Sequence, residues 1–139
     1  MQHTLTSEKL DNQLFRGILR NLVPELPPAA ASSLSSVPEL RNYGIGDLII
    51  SEGEPSTGIV LLISGTVQVV VSKRTSRATR EVNLQQIVAP AILGITAAML
   101  GQPSAVSMVA LTPTETAFIP HEEFLRVLSQ FPQAGLAFF

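Results

Sequence analysis

Apolar residues near the start of the chain recur at the spacing of an amphipathic helix. Ser7 supplies an N-cap for this helix, and Pro24 ends it, because proline breaks a helix interior. Pro27 and Pro28 are predicted to start a second, shorter helix that reaches about Ser36, since proline is well tolerated at a first helical position. The apolar stripe of the first helix consists of Leu10, Leu14, Phe15, Ile18, Leu19 and Leu22.

Beyond about residue 41 the pattern changes to short runs that are rich in β-branched residues and separated by glycines. Such runs predict strands. In one of them Val67, Val69 and Val71 alternate with Gln68 and Ser72, which predicts a strand with one buried face. Short strands at this spacing are typical of a compact antiparallel sandwich or roll. The predicted strands are Leu48–Ile50, Ile59–Ile63, Thr66–Val71, Glu81–Val88, Ser107–Leu111 and Glu115–Ile119.

The last part of the chain returns to a helical pattern. Pro120 is predicted to open a helix that stops at Pro132, and a further helix is predicted to begin at Gln133. The buried face of the helix that Pro120 opens is predicted to consist of Phe124, Leu128 and Phe131.

Length and composition agree with a packed domain. At 139 residues the chain has the length of one domain, which we expect to span residues 1–139. Within it we expect helices in about 7–36, a β-roll in about 41–119 and helices in about 120–139. Apolar residues make up 45% and charged residues 14%, which argues against a disordered chain. Because the chain has no cysteine, disulfides and zinc–thiolate sites are excluded.

Charge gives little support for a polyanionic partner of the whole domain. The net charge of −2 offers no overall attraction to nucleic acid or to an anionic membrane. No charged residue stands between Glu81 and Glu115, but prolines, glycines and serines interrupt this run, so we do not expect a membrane span. The first residues do not resemble a signal peptide, and a cytoplasmic location is therefore expected.

The stretch from Leu93 to Val106 has the layout of a small ligand cradle. Its order is strand, tight turn at Gly94, one helical turn, a loop at Gly101–Pro103 and a strand again. The start of a short helix at Gly94 would point free backbone N–H groups into whatever cavity it faces. No lysine or arginine stands in this stretch to help them.

Three groups of residues resemble the cyclic nucleotide-binding domain family: Gly46-Asp47, Glu52-Gly53-Glu54, and Ile63 to Val67. This family includes the sensor half of bacterial regulators of the catabolite-activator type and the regulatory subunit of the cyclic-AMP-dependent kinase. The resemblance covers roughly residues 7–136. It implies a double-stranded antiparallel, jelly-roll-like β-roll of about eight strands, with one short inserted helix and flanking helices.

The resemblance also assigns a phosphate-binding cassette, which in the family typically reads Phe-Gly-Glu, a short helix, then Pro-Arg-Ala or Arg-Ser-Ala. The cassette glutamate, which holds the ribose hydroxyl in the family, would be Ile95, and the arginine that pairs with the cyclic phosphate would be Ser104. Removal of one partner from a buried ion pair costs about 3–5 kcal/mol. We therefore expect no tight binding of cyclic AMP or cyclic GMP in the family's manner, and we predict no cofactor. The ligand-binding positions equivalent to the cassette are Leu93, Gly94, Ile95, Thr96, Ala97, Pro103, Ser104 and Ala105.

Three interpretations of the cassette stretch stay open at this point. Its apolar residues can pack simply as core. Alternatively, the stretch can line a pocket for an apolar or neutral effector, oriented by N–H groups near Gly94 to Ala97 and by the hydroxyls of Ser104 and Ser107. The third interpretation is residual binding of a cyclic nucleotide.

A run from Lys73 to Arg80 holds four of the nine basic residues and is predicted to be a long hairpin loop. We interpret it first as a solvated tip. The alternative is a contact surface for nucleic acid or another polyanion, although no aromatic residue interleaves with the charges as a stacking platform requires. The residues of this surface would be Lys73, Arg74, Arg77 and Arg80.

Catalytic and metal-binding motifs are not found in the sequence. No Ser-His-acid set, pair of carboxylates in an apolar stretch or Walker-type loop can be assembled, so we do not predict an enzyme. His3 and His121 are the two histidines, and neither has a partner at metal-ligand spacing. A haem site, with Met99 or His121 as axial ligand, is disfavoured. Glu52 and Glu54 are predicted to be surface charges.

The favoured function is a non-catalytic effector-sensing or regulatory domain, resembling the N-terminal half of a catabolite-activator-type transcription regulator. The resemblance implies a homodimer through the C-terminal helix if the chain continues beyond Phe139, and DNA contact only through a helix-turn-helix domain that this sequence does not include. Phe138 and Phe139, in only the first turns of that helix, suggest that the chain is part of a longer regulator. A small-molecule effector of unknown identity is one partner that this function allows, and we expect no membrane partner. The alternative is a degenerate scaffold for protein interaction or dimerisation.

Overall fold

A computed structural model of the chain describes residues 12–35 and 38–132. These ranges form four helices and eight strands. The helices are α1 (Asn12–Leu22), α2 (Pro28–Ser35), α3 (Ile95–Leu100) and α4 (His121–Gln130). The strands are β1 (Glu39–Tyr43), β2 (Leu48–Ile50), β3 (Gly58–Ser64), β4 (Thr66–Arg74), β5 (Thr79–Val88), β6 (Ala91–Leu93), β7 (Ser107–Ala110) and β8 (Thr114–Pro120).

The strands form two antiparallel sheets. We call the sheet with strand order β1-β8-β3-β6 sheet I, and the sheet with strand order β2-β7-β4-β5 sheet II. All strand pairs are antiparallel, and strands that are far apart in sequence pair with each other, as β1 does with β8. The predicted fold class, a mainly β roll with flanking helices, is confirmed.

Sheet I is buried on both faces. Successive side chains of a strand point to opposite faces, so β3 serves two cores at once. Ile59 and Leu61 face the helices, where they pack with Ala117 and Ile119 of β8. Val60 and Leu62 face sheet II, where they pack with Phe118, Val67 and Leu93. This double burial explains why β3 is an unbroken apolar run rather than an alternating one.

The helices cover only the outer face of sheet I. Phe15 and Leu19 of α1 are fully buried there, as the helical spacing predicted, and Leu34 of α2 is fully buried with them. The helix α1 ends at Leu22, before the predicted stop at Pro24, and α2 occupies nearly the predicted range. The predicted N-cap and the first apolar residue of α1 lie outside the described residues.

One prediction for β4 is wrong. The buried valines of this strand are Val67, Val69 and Val70, while Val71 is only half-buried. Because adjacent side chains of a strand point to opposite faces, β4 is covered on both faces at Val69 and Val70. The register shift at this point lies in β5, where Leu84 is the extra residue between the partners of Val69 and Val70. A strict period of two assigned the buried position to Val71 instead.

The basic hairpin is shorter than predicted. The strand β4 continues through Arg74 and β5 begins at Thr79, so the connecting loop is 75–78 rather than the whole of 73–80. The turn is closed locally: the Thr75 N–H donates to the Ala78 carbonyl oxygen at 2.8 Å, and the Thr75 hydroxyl donates to the same oxygen at 2.9 Å. This arrangement makes Lys73 and Arg80 a directly opposed cross-strand pair.

Two further elements differ from the sequence prediction. The strand β1 was not predicted at all. In α4, Phe124 is fully buried as expected, but the second fully buried residue is Val127, while Leu128 and Phe131 pack against that core only partly buried. The helix predicted from Gln133, and the two terminal phenylalanines, lie outside the described residues.

Candidate functional site

A cavity of about 220 Å³ lies between the two sheets and α3. Its walls come from three parts of the fold. Sheet I contributes Arg41, Val60 and Phe118. The chain from β2 to the start of β3 contributes two segments, 49–51 and 54–58. The cradle stretch contributes Gly94, Ala97 and Ser104.

Two glycines allow the walls of this cavity to come together. A Cβ atom on Gly58 would overlap the carbonyl oxygen of Ile119 and would lie 2.7 Å from the ring of Phe118. Gly94 has a φ of 78°, a left-handed conformation that favours glycine, and its Cβ would lie 3.2 Å from the side chain of Ile50. The cavity therefore depends on a residue without a side chain at each of these two close approaches.

Arg41 brings a positive charge to the cavity. Its guanidinium carbon lies 3.9 Å from the centroid of the Phe118 ring, in the geometry of a cation–π contact. Its Nη2 and Nε atoms donate to the carboxylate of Glu39 at 3.2 and 3.4 Å. The Thr116 hydroxyl donates to the Arg41 carbonyl oxygen at 2.8 Å, which fixes β1 against β8 beneath this side chain.

The guanidinium of Arg41 is held in its charged form. Partial burial lowers the pKa of Arg41, but the hydrogen bond to Glu39, the Glu39 charge and a hydrogen bond to Tyr43 together outweigh it. The pKa of Arg41 therefore lies above its ordinary value. The cavity has a permanent cation that comes from β1 and not from the cradle stretch.

Ser104 is the residue that the resemblance aligned with the family's arginine, and it lines the cavity. Its main chain pairs with the β2–β3 loop: the Gly53 N–H donates to the Ser104 carbonyl at 2.8 Å, and the Ser104 N–H donates to the Glu54 carbonyl at 3.1 Å. Its hydroxyl donates to the Val106 carbonyl at 2.7 Å. The hydroxyl hydrogen is therefore used within the loop.

The structure brings only part of the predicted cassette set to the cavity. Gly94, Ala97 and Ser104 line it, whereas Leu93, Ile95, Thr96, Pro103 and Ala105 do not. Leu93 is buried in the core between the sheets, and Ile95 packs against the helical core. Thr96, Pro103 and Ala105 are exposed. Ser107 does not line the cavity either, and its hydroxyl oxygen accepts the Glu52 N–H at 2.8 Å.

Sequence reasoning missed Arg41, Phe118 and the 49–58 segment as cavity residues. The strand that carries Phe118 was predicted, but nothing local indicates its neighbour, since Arg41 and Thr116 are 75 positions apart in the chain. The sequence signal that could have indicated a site is an arginine, Arg41, within a strand. This signal points to the cavity only once the pairing of β1 with β8 is known.

Glu52 is not the plain surface charge that was predicted. It is half-buried, and its Oε1 accepts the Ser72 N–H at 2.8 Å. Its own N–H donates to the Ser107 hydroxyl oxygen. Glu52 thus ties the β2–β3 loop to β4 and β7, beside the cavity. Glu54 is exposed, as predicted, and it also lines the cavity.

The start of α4 contacts the cavity wall and the cradle helix together. The His121 N–H donates to the carbonyl of Thr57, a cavity residue, at 2.9 Å. The His121 Nε2 atom lies 2.9 Å from the Ala98 carbonyl oxygen in α3. The haem hypothesis gains no support from this geometry, because the ring nitrogen that would ligate iron is engaged by a carbonyl.

Other candidate features lie away from the cavity. None of the four basic residues of the β4–β5 hairpin lines it, and all four side chains are exposed. Residues 12–35 and 38–132 contain no group of three or more His, Cys, Asp or Glu residues that could hold a metal ion. Among the helices in these ranges, none is both long and apolar enough to cross a membrane.

Two antiparallel sheets with a cavity between them, beside a short inserted helix, define the class of fold as a β-roll with an internal cavity. The family model for the cyclic nucleotide-binding domain matches residues 40–131, which is more than half of the chain. The chain therefore belongs to the cyclic nucleotide-binding domain family, and the predicted resemblance is confirmed. No match was found among the curated proteins.

Solved structures of similar fold include several regulators. The Thermus thermophilus catabolite activator protein has 22% identity and a TM-score of 0.69, with 82% of this chain and 52% of that chain covered. The sensor domain of the transcriptional regulator DNR from Pseudomonas aeruginosa has 21% identity and a TM-score of 0.77, with 91% and 85% covered.

A third similar structure is a protein from Silicibacter pomeroyi DSS-3 that was assigned as a cAMP-binding regulatory protein. It has 24% identity and a TM-score of 0.76, with 90% of this chain and 57% of that chain covered. At these identities the three likenesses show the fold alone. The chain spans only a little more than half the length of the Silicibacter and Thermus proteins.

Proposed function

We propose that this chain is a non-catalytic effector-sensing domain of a regulator, and that it does not hold a cyclic nucleotide through the family's usual cassette contacts. The observation that carries the proposal is the pair of cassette positions. Ser104 stands at the cavity where the family has an arginine, and Ile95 packs into the helical core where the family has the glutamate.

The energetic argument follows from the missing charges. A phosphate that enters a partly buried site needs a compensating cation, which a guanidinium supplies through a bidentate, charge-assisted pair. Loss of one partner of such a pair costs about 3–5 kcal/mol, which corresponds to a loss of affinity of more than about a hundredfold. The ribose contact is lost as well. The amides at the start of α3 contribute much less than these two contacts, because a helix end attracts an anion only weakly.

The regulatory part of the proposal is supported by the fold. Its similarity to the catabolite activator of Thermus thermophilus and to the sensor domain of DNR favours a role in the control of transcription. We propose that DNA contact belongs to a helix-turn-helix domain outside this chain, and that subunits pair through the region that follows α4. We propose no catalysis, because within the described ranges no histidine lines the cavity beside its serine and threonine hydroxyls.

Isothermal titration calorimetry with cyclic AMP, cyclic GMP and cyclic di-GMP tests the proposal directly. We expect no saturable binding at micromolar concentrations. Circular dichroism on the same sample serves as the control that the domain is folded. A dissociation constant in the micromolar range for any of the three nucleotides would contradict the proposal.

One observation favours a second candidate function, a scaffold for protein interaction or dimerisation. The helices cover sheet I only, and the strands of sheet II have exposed large apolar side chains at Leu48, Leu84 and Val88. Light scattering coupled to size-exclusion chromatography would detect a dimer. This second function predicts that Leu84→Glu converts a dimer to a monomer, and a monomeric wild-type chain would argue against it.

A further inference from the structure

We propose that Arg41 is the anion-binding residue of the cavity and that the effector is a small amphipathic oxyanion, with a carboxylate or phosphate group on an apolar or aromatic body. The inference rests on the proposed function, because it names the class of effector that the same cavity takes. In this proposal a cation from β1 takes the role that the family gives to the arginine at the position of Ser104.

The position of Arg41 supports this role. Its guanidinium lies against the Phe118 ring at 3.9 Å, and both residues line the cavity with Val60 of the neighbouring strand. The ring covers one face of the guanidinium and removes water from it, while the N–H donors lie at the edges, where a planar acceptor can reach them. Glu39 at present accepts from the Nε and Nη2 donors, so a ligand would take other N–H groups or displace Glu39. A carboxylate or phosphate can accept two parallel N–H bonds from such an edge.

Arg41 can be released from its present partner at low cost. Its bonds to Glu39, at 3.2 and 3.4 Å, are longer than the roughly 2.7–2.9 Å of a strong charge-assisted bond. The side chains of Arg41 and Glu39 are 39% and 60% exposed, and ion pairs in such surroundings contribute little to stability. An oxyanion in the cavity therefore competes with a weak and solvated carboxylate.

The remaining walls define the body of the ligand. Ile49, Ile50, Val60 and Phe118 form an apolar surface, which favours a hydrocarbon or aromatic group. The hydroxyls of Ser51 and Thr57 provide a small number of polar contacts. Both sheets contribute to this surface, since Ile49 and Ile50 belong to β2 and Val60 and Phe118 belong to sheet I.

Glu54 limits the charge of the ligand. Among residues 12–35 and 38–132 it is the one charged residue besides Arg41 that lines the cavity, and it is exposed. A second negative charge on the ligand would meet Glu54 without a second cation to balance it. The cavity therefore favours a monoanion over a more highly charged ligand, and we expect a carboxylate to bind more tightly than a phosphate dianion.

The test is a titration of the ¹⁵N-labelled chain, followed by NMR, with three probes that share one ring: benzoate, phenyl phosphate and neutral benzyl alcohol. At constant ionic strength we expect benzoate to shift the amide signals of Arg41, Ile50 and Phe118 in a saturable manner, and benzyl alcohol to bind more weakly. The order of the two anions distinguishes a carboxylate effector from a phosphate effector. Equal affinity for benzoate and benzyl alcohol would overturn the proposal, as would no binding of either anion at millimolar concentrations.

Three variants make the test specific to Arg41. Arg41→Gln is expected to weaken benzoate binding by about tenfold or more, because it removes a charged donor. Arg126→Gln is the matched control: it removes a guanidinium of similar exposure from another ion pair, with Glu123 at 2.8 Å, outside the cavity. It is expected to leave the affinity unchanged.

Glu39→Gln provides a test that does not depend on the loss of Arg41. Because Glu39 competes with the ligand for the guanidinium, its neutralisation is expected to tighten benzoate binding severalfold. Unchanged affinity in both Arg41→Gln and Glu39→Gln would overturn the inference. That failure would leave the proposed function intact, whereas micromolar binding of a cyclic nucleotide would contradict the proposed function and not the role of Arg41.

Discussion

The ring of His121 lies with its Nε2 atom 2.9 Å from the carbonyl oxygen of Ala98, so the first residue of α4 is joined to the helix of the cradle stretch. The backbone N–H of the same residue donates to the carbonyl of Thr57, which lines the cavity. A single residue therefore contacts two walls of the site. A ligand that moves either wall would alter the start of α4.

We expect His121→Ala to destabilise the domain by about 1 kcal/mol, because it removes one hydrogen bond to a carbonyl that is partly buried. His121→Gln keeps an N–H donor of similar reach and is expected to retain most of the stability. Urea unfolding measures the difference, and hydrogen exchange should show faster exchange at the start of α4 in the alanine variant only. Equal stability of the alanine variant and wild type would show that the contact contributes nothing.

Two threonines in β8 are expected to respond to the same substitution with opposite changes in stability. Thr114 and Thr116 are both buried, but the Thr116 hydroxyl donates to the Arg41 carbonyl, whereas the Thr114 hydroxyl oxygen has no partner within residues 12–35 and 38–132. Thr114→Val replaces an unsatisfied hydroxyl by a methyl group of the same shape, so we expect it to stabilise the domain by about 1 kcal/mol.

Thr116→Val is the matched comparison, because it makes the same chemical change two residues away. It leaves the Arg41 carbonyl without its donor, and we expect a loss of about 1–2 kcal/mol. Thermal and urea unfolding of both variants against wild type measure the two signs. A destabilised Thr114→Val variant would mean that its hydroxyl has a partner that the described residues do not provide.

The basic hairpin contains a repulsive pair. Lys73 and Arg80 are directly opposite each other at the end of the β4–β5 ladder, where like charges destabilise a sheet. Arg80→Glu should pair with Lys73 and increase the free energy of unfolding by about 0.2–0.5 kcal/mol. Arg77→Glu changes the same charge within the loop, where no cross-strand partner stands, and is expected to have a smaller effect.

The same two variants test the hypothesis that this hairpin contacts a polyanion. Binding to duplex DNA that falls steeply with salt, and that is weakened in both Arg80→Glu and Arg77→Glu, would support that contact. If DNA binding is absent in wild type, the repulsive pair is simply tolerated at an exposed tip. An Arg80→Glu variant that is less stable than wild type would contradict the repulsion argument itself.

The features that the sequence predicts well are those that depend on local patterns. Gly94 interrupts an apolar run, and the structure has the strand, turn and short helix at that point. Phe15 and Leu19 are buried because their helical spacing places them on one face. In β4, by contrast, Val70 is buried in place of Val71, because the cover on the second face of this strand comes from tertiary packing and has no local signal.

The candidate site could be predicted only in part, because it is assembled from distant segments. Gly94 and Ser104 could be predicted, because both belong to the stretch that resembles the family's phosphate-binding cassette. Arg41 and Phe118 meet only because β1 pairs with β8, a contact between the two ends of the roll. The orientation of Ile95 also depends on tertiary packing, since the rotation of the six-residue helix α3 decides whether this side chain faces the cavity or the helices.

This orientation separates two attempts to restore the family's cassette. Ser104→Arg places a guanidinium at the cavity wall, and we expect it to increase the affinity for cyclic AMP by at least about tenfold. Ile95→Glu places a carboxylate against the helical core instead, and we expect it to destabilise the domain by about 1–3 kcal/mol without any gain in affinity. Ala105→Arg is the matched control, because it adds the same charge at the next residue, which is exposed and does not line the cavity. Calorimetry with cyclic AMP measures the affinities, and urea unfolding measures the stabilities.

Two outcomes would contradict this prediction. If Ile95→Glu gained affinity and Ser104→Arg did not, residue 95 and not residue 104 would face the ligand, and the binding site would lie on the opposite face of α3. If Ala105→Arg matched Ser104→Arg, the gain would reflect general attraction between charges rather than a placed contact.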